Sequence, residues 1–272
     1  MLKNNFLTAN WNAPKNIKTL ITTKYYPIEN NSCDSNPSEA TSYTLKEHST
    51  TSNHKLCFNL ATHVNDDINI VMKNRDVLNQ FLPSIPYWLL QTHNNNVLEI
   101  DKIGSQISEY HDYDASITND KNKICVVLTA DCIPILLTDQ SGSFVASIHA
   151  GRVGIEKNII KNTIQKCNSK STEILAYIGP AICAKHYEVG ADILEKFKNL
   201  DTRYSQFFTK KTTVNKFDLD LNGIAVMQLL DCGLSLNNIY HSNICTYCNS
   251  DKFYSYRKNN HTGRFASLIW IE

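Results

Sequence analysis

Two hydrophobic periods divide the chain. Short runs rich in β-branched and other apolar residues at 17–24, 87–91, 97–103, 123–129, 133–138, 144–149 and 174–178 read as strands. Those at 123–129 and 133–138 are almost wholly apolar, the pattern of strands covered on both faces. Elsewhere apolar residues recur every three or four positions. Asp66 or Asp67 caps a helix predicted to run to about residue 81, with Ile70, Val71, Asn74 and Leu78 on one face and Pro83 and Pro86 beyond its end. A second helix is expected over 154–167, on the stripe Ile155, Ile159, Thr163 and Ile164. A third carries Val189, Ile193, Leu194, Phe197 and Leu200. A fourth, capped by Asp218 or Asp220, carries Leu221, Ile224, Ala225 and Leu229 before Gly233. The C-terminal runs 253–257 and 264–271 are expected to form a hairpin around 259–263. Ser, Thr, Asn and Glu dominate 30–54, which reads as a mobile surface insertion with His48 and His54 solvated.

No repeat or linker interrupts this order, so residues 1–272 are expected to fold as one α/β or α+β domain. With 42% hydrophobic residues the chain can fill one sizeable core, and a formal net charge of +1 gives no electrostatic footprint for duplex nucleic acid. No apolar run is long enough for a signal peptide or a membrane span, so a cytoplasmic location is expected. Nine irregularly spaced cysteines do not read as a disulfide framework. Most are expected to pack as small buried thiols.

Cys132 differs from the rest. In Thr129-Ala-Asp-Cys132, a polar Asp131-Cys132 pair interrupts two buried strands, and unpaired polar groups there cost roughly 1–3 kcal/mol. Downstream, His149-Ala-Gly-Arg-Val-Gly154 joins a strand to a helix through two glycines, a turn suited to holding an anion. If the strands 133–138 and 144–149 pair, Cys132 and His149 share one end of a sheet. Such a pair supports either a His-activated cysteine nucleophile or a zinc site with an open fourth position. Spacing alone does not name a third ligand. His93 is a candidate; His63, His111, His186 and His241 are rivals. Cys245-Thr-Tyr-Cys248 has the spacing of a redox pair or half a zinc site, but no second C-x-x-C pair accompanies it, and a structural role is expected.

Thr129-Ala-Asp-Cys-Ile-Pro-Ile-Leu-Leu, His149-Ala-Gly, Ile178-Gly-Pro-Ala and Tyr187-Glu-Val-Gly resemble the YfiH-type laccase-domain family, also called multicopper polyphenol oxidase-like or laccase-domain purine nucleoside phosphorylase. Asn59-Leu60, His63-Val64, Asn74-Arg75, Gln91-Thr-His93, Cys245-Thr246, Phe253-Tyr-Ser-Tyr-Arg257 and Thr262-Gly-Arg264 follow in family order. The resemblance implies a single layered α/β/β/α-type domain, similar to certain toxin cysteine deamidases. It implies that His93, Cys132 and His149 are both metal ligands and catalytic residues, with zinc the expected metal and copper the alternative. The implied activities are phosphorolysis of adenosine, inosine, guanosine and methylthioadenosine, with adenosine deamination, so the partners are a purine nucleoside and phosphate. A peptidoglycan-editing role is attached to some members. The family pattern has Trp-Arg-Gly after His-Ala-Gly, where this chain has Arg152-Val153-Gly154.

Within that scheme Asp131 is the candidate proton shuttle, or else the group that orients a ligand histidine. Arg152, Arg257 and Arg264, with Asn59, are the candidate substrate- and phosphate-binding residues. The competing readings are a metal-free Cys–His hydrolase or amidase acting on a peptidoglycan precursor, a copper-dependent polyphenol oxidase, and a non-enzymatic binding protein. A true multicopper laccase needs His-x-His pairs, and none occurs among the nine histidines.

Overall fold

In chain order the elements are β1 (Ile17–Ile21), α1 (Ile68–Asn79), β2 (Leu89–Leu90), β3 (Val97–Glu99), β4 (Tyr110–His111), β5 (Ala115–Thr118), β6 (Cys125–Thr129), β7 (Ile133–Asp139), β8 (Val145–Ala150), α2 (Arg152–Glu156), α3 (Ile159–Ile164), β9 (Ile174–Ile178), β10 (Glu188–Gly190), α4 (Ala191–Leu200), β11 (Phe208–Lys210), β12 (Lys216–Leu219), α5 (Leu221–Asp231), β13 (Ile239–His241) and β14 (Phe265–Ile271). The computed structural model describes residues 6–27 and 57–272. The expected insertion at 30–54 lies outside the described residues.

The period-two alternation of β14 sets the layering. Phe265, Ile269 and Ile271 face one cluster of core side chains, whereas Ala266, Leu268 and Trp270 face another. β14 pairs antiparallel with β1 and with β6 to form a three-stranded sheet. Its outer face packs on α1 through Leu78 and on Phe58 and Leu60. Its inner face meets a six-stranded mixed sheet of order β13-β9-β7-β8-β5-β3. β7 repeats the logic: Leu136 faces the three-stranded sheet, while Ile133, Ile135 and Leu137 face α2, α3 and α5. The layers are therefore α/β/β/α, as the resemblance implies. Small sheets β10-β12-β11 and β2-β4 sit at the margins. No described helix is long and apolar enough to cross a membrane.

Asp67 caps α1 by accepting from the Asn69 N–H, and Asp220 caps α5 by accepting from Gly223 N–H, as read from the sequence. Three expectations need correction. The helix over 154–167 is broken into α2 and α3, because Asn158 takes a left-handed backbone at φ 64°. Val189 belongs to β10, not to the following helix. The C-terminal hairpin does not form: 253–257 is turn and loop, and β14 pairs with β1 and β6 instead. The aromatic run predicts a strand, but Phe253 and Tyr254 bury their rings without one.

Asp139, 3% exposed, ends β7 and holds the turn into β8. It accepts from Ser141 Oγ at 2.9 Å, Ser143 N and Oγ at 2.8 and 2.5 Å, and Ser169 Oγ at 2.5 Å. Burial alone raises a carboxyl pKa, but these donors outweigh it and bring Asp139 from its ordinary 3.8 down to about 2. A depressed carboxylate stabilises the fold above its unfolded value and loses that contribution as pH falls through the folded value. Asp139→Asn should therefore lower stability by roughly 2 kcal/mol at neutral pH. In denaturant titrations the wild-type advantage should fade between about pH 4 and pH 2; an unchanged difference across that window would contradict the assignment.

Candidate metal centre

Sheet pairing builds the site. β7 and β8 are antiparallel with Pro134 opposite His149, which sets Cys132, just before β7, beside the end of β8. Pro134 and His149 form a non-hydrogen-bonded pair, since His149 N–H donates to the Asp114 carbonyl on the β5 side at 2.7 Å; on its other side the Pro134 carbonyl accepts from Gly179 N–H at 2.9 Å, just beyond the end of β9. Cys132 follows the turn at which the chain leaves the three-stranded sheet after β6 and enters the six-stranded sheet at β7. The turn residue is Asp131, with φ 87°.

Asp114, immediately before β5, is fully buried and organises the other two residues. Its carboxylate accepts from three successive backbone N–H groups, Thr92 at 3.2 Å, His93 at 3.0 Å and Asn94 at 2.7 Å. These donors form a cradle of the kind that holds anions, and His93 takes a left-handed backbone within it at φ 58°. The same carboxylate lies 2.7 Å from His149 Nδ1. Since an ionised carboxylate only accepts, Nδ1 carries the proton and Nε2 is left free. Burial would raise the pKa of Asp114, but the hydrogen bond and charge of His149, with the Asn94 and Thr92 N–H donors, hold it below the usual carboxylate range.

His93 Nε2 lies 3.7 Å from Cys132 Sγ, and the His93 and His149 rings meet edge to face with centroids 4.7 Å apart. One ligand atom from each of the three residues lies within 4.8 Å of the others. Zinc bonds of about 2.3 Å to sulfur and about 2.0 Å to nitrogen place tetrahedral S and N ligands about 3.5 Å apart, so the trio fits such an ion. The carboxylate behind His149 is the usual support of a metal-ligating imidazole. His149 is buried, Cys132 half-buried and His93 exposed, so the cluster opens on the His93 side. Burial raises the Cys132 thiol, but the charge and hydrogen bond of His149, and then those of His93, overcome it and draw the thiol down. Burial likewise lowers His149, and Cys132 and Asp114 overcome it to raise the imidazole. Gly151 packs directly against the trio: a Cβ there would meet Cys132 Sγ and His93 Cδ2, each at 2.9 Å.

The other predicted residues divide. Arg152 begins α2 and is ion-paired with Glu156, which also holds Lys196. Arg257 Nη1 donates to Glu188 O at 2.8 Å, and its guanidinium lies 5.0 Å from the Tyr187 ring centre. Arg264 Nη1 donates to Thr262 O and Gly263 O, and burial lowers its pKa. Among the described residues neither Arg257 nor Arg264 has a carboxylate partner. Asp131 accepts from Thr246 Oγ1 and from Arg257 N–H, both at 2.6 Å, and does not touch His149; the ligand-orienting role falls to Asp114. Asn59, expected as a substrate contact, is tied into the fold. It is fully buried, and its carboxamide is used up on Ala61, Asp66 and the Arg264 N–H. Among the rival histidines, partial desolvation and then the Arg264 charge lower the pKa of His63. His186 lies in a separate cluster with Cys183, Cys245 and Cys248. Asp114 was missed because it precedes a strand, Ala-Ser-Ile-Thr, that carries little hydrophobic signal; a buried-strand reading of 115–118 would have exposed it.

A family model described as multi-copper polyphenol oxidoreductase laccase matches residues 42–272. A purine nucleoside phosphorylase of Haemophilus influenzae is 36% identical over 269 residues, covering 98% of this chain and 99% of its own. The Escherichia coli purine nucleoside phosphorylase YfiH is 34% identical over 215 residues, 78% of this chain and 86% of its own. Among solved structures, the Neisseria meningitidis protein NMB0706 superposes with a TM-score of 0.81 at 34% identity, covering 98% of this chain and 99% of that one. YlmD of Geobacillus stearothermophilus, 21% identical and covering 99% of each chain, shares the fold with a TM-score of 0.76. With its trio placed on this layered fold, the chain belongs to the laccase-like family of multi-copper polyphenol oxidoreductase type that includes the YfiH proteins.

Proposed function

We propose that the chain is a metal-dependent purine nucleoside phosphorylase whose reaction centre is His93, Cys132 and His149. The observation that carries this reading is the convergence of one thiol and two imidazoles, one of them backed by Asp114, with the His93 side exposed. The curated relatives named as purine nucleoside phosphorylases support the substrate class. Two imidazoles and a thiolate suit zinc, with copper the alternative. Such an ion supplies a fixed positive charge and Lewis acidity at the pocket.

In phosphorolysis a phosphate oxygen bonds to the sugar C1′ as the bond from C1′ to the purine nitrogen breaks, giving the free base and a sugar 1-phosphate. Positive charge develops on the sugar ring, so an anion held against it lowers the barrier. Arg257 and Arg264, cations without carboxylate partners among the described residues, are the groups we assign to the phosphate. Arg152 is neutralised by Glu156 and contributes less. Adenosine deamination is the second activity of this reading, favoured by the Cys/His/His donor set; zinc deaminases also need a carboxyl that carries protons. Asp131 is nearest in sequence, but both of its oxygens are engaged, which ranks deamination below phosphorolysis. A metal-free hydrolase would use the same Cys132 and His149 and is separated by chelation.

Incubation of the protein with adenosine should release adenine only when phosphate is present, and Cys132→Ala should abolish it. Inosine formed irrespective of phosphate would favour deamination, and full activity after exhaustive chelation would favour the hydrolase. Arg264→Gln should raise the KM for phosphate roughly tenfold or more while leaving bound metal unchanged; steady-state kinetics with metal analysis checks both. Asp114→Asn should weaken metal binding about 10–100-fold, the usual loss when the support of a ligating histidine is removed. Competition with a chromogenic chelator reads that change, and unaltered affinity would count against Asp114.

A further inference from the structure

Cys183, His186, Cys245 and Cys248 form a second cluster on two loops far apart in sequence. Cys183 and His186 flank a single turn of 3-10 helix after β9, and Cys245 and Cys248 flank a turn after β13. A parallel bridge of Ala181 with Cys245 aligns the loops, through Ala181 N–H to Ile244 O and Thr246 N–H to Ala181 O, each at 3.2 Å. His186 Nδ1 then lies 3.3 Å from Cys183 Sγ, 3.4 Å from Cys248 Sγ and 4.0 Å from Cys245 Sγ. These values bracket the S···N separation of about 3.5 Å that a tetrahedral zinc ion imposes. All four ligand atoms lie within 4.8 Å of one another, and all three thiols are free.

We propose that these four residues form a closed Cys3His zinc site with a structural role. Four protein ligands leave no coordination position for water or substrate, unlike the open trio at Cys132. Two further features prepare the ligands. The Cys183 and Cys248 N–H groups point at Cys245 Sγ, at 3.3 and 3.5 Å, and such donors favour a thiolate. The His186 ring stacks on Tyr247 with centroids 4.2 Å apart and planes 14° from parallel, which fixes the direction of Nδ1. Lys258 lies over the other partner of that stack, 4.6 Å from the Tyr247 centroid, a cation beside a site whose three thiolates exceed the charge of one zinc ion.

The position suggests what the ion braces. Thr246, between the two cysteines, donates to Asp131, and the Ile182 N–H donates to the Asp131 carbonyl. The clip therefore holds the turn that presents Cys132, whatever reaction the trio performs.

The test uses the full chain carrying His93→Ala and Cys132→Ala, purified under reducing conditions, so that the first centre cannot hold metal. Elemental analysis should find about one zinc per chain. Adding Cys183→Ser and Cys248→Ser should remove it. Cobalt reconstitution of the two-residue variant should give tetrahedral ligand-field bands and a strong thiolate charge-transfer band, which keeps the proposal testable if the further substitutions impair folding. Absence of zinc and of that spectrum, zinc retained without Cys183 and Cys248, or a Cys245–Cys248 disulfide in the reduced preparation would each overturn it.

Discussion

The Asp114 carboxylate is the contact on which the site depends. It is buried with no lysine or arginine paired to it among the described residues, and its charge is met by the N–H groups of Thr92, His93 and Asn94 and by His149 Nδ1. A buried carboxylate so satisfied fixes both histidines at once, one through its backbone and one through its ring. That frees His149 Nε2 and places His93 Nε2 against Cys132. Removing the carboxylate would leave three orphaned backbone donors as well as an unsupported imidazole, each carrying a desolvation penalty.

The layering explains why this contact forms where it does. Cys132 lies at the crossing between two face-packed sheets, His149 at the end of a central strand, and Asp114 at the start of the neighbouring strand. Three residues remote in sequence therefore meet at one edge of the sandwich because β5, β8 and β7 are adjacent. The arginines come from different sources: Arg152 from the first turn of α2, Arg257 and Arg264 from the C-terminal segment just before β14. The trio able to hold a metal therefore sits on strand ends, whereas Arg152 stands at a helix start and Arg257 and Arg264 on loop, the part of a fold where binding groups concentrate.

Much of this was legible in the residues. The runs at 123–129, 133–138 and 144–149 are strands, Asp67 and Asp220 are caps, and the pairing that sets Cys132 beside His149 follows from two short strands and a turn at Gly142. What escaped was polar. β5 buries Ser116 and Thr118, whose hydroxyls are satisfied by Ser147 and Asp101, so its hydrophobic signal is weak although no part of it is exposed. Asp114 was hidden with it. Asn59 is a candidate binding residue through the resemblance alone, and the structure shows its buried carboxamide joining the 59–66 loop to Arg264. Only half of the second cysteine–histidine cluster was legible: Cys183 and His186 repeat the two-residue spacing of Cys245 and Cys248, but as Cys-x-x-His rather than a second cysteine pair, and only the β9–β13 pairing brings the two loops together.

The central claim is that one thiol and two imidazoles, set by Asp114, share a single ion. Crystals of the zinc-loaded protein, measured on both sides of the zinc absorption edge, test it most directly. The account predicts an anomalous peak about 2.0–2.3 Å from Cys132 Sγ, His93 Nε2 and His149 Nε2 together. A loaded crystal with no peak there, or with His93 turned away from Cys132, would contradict it.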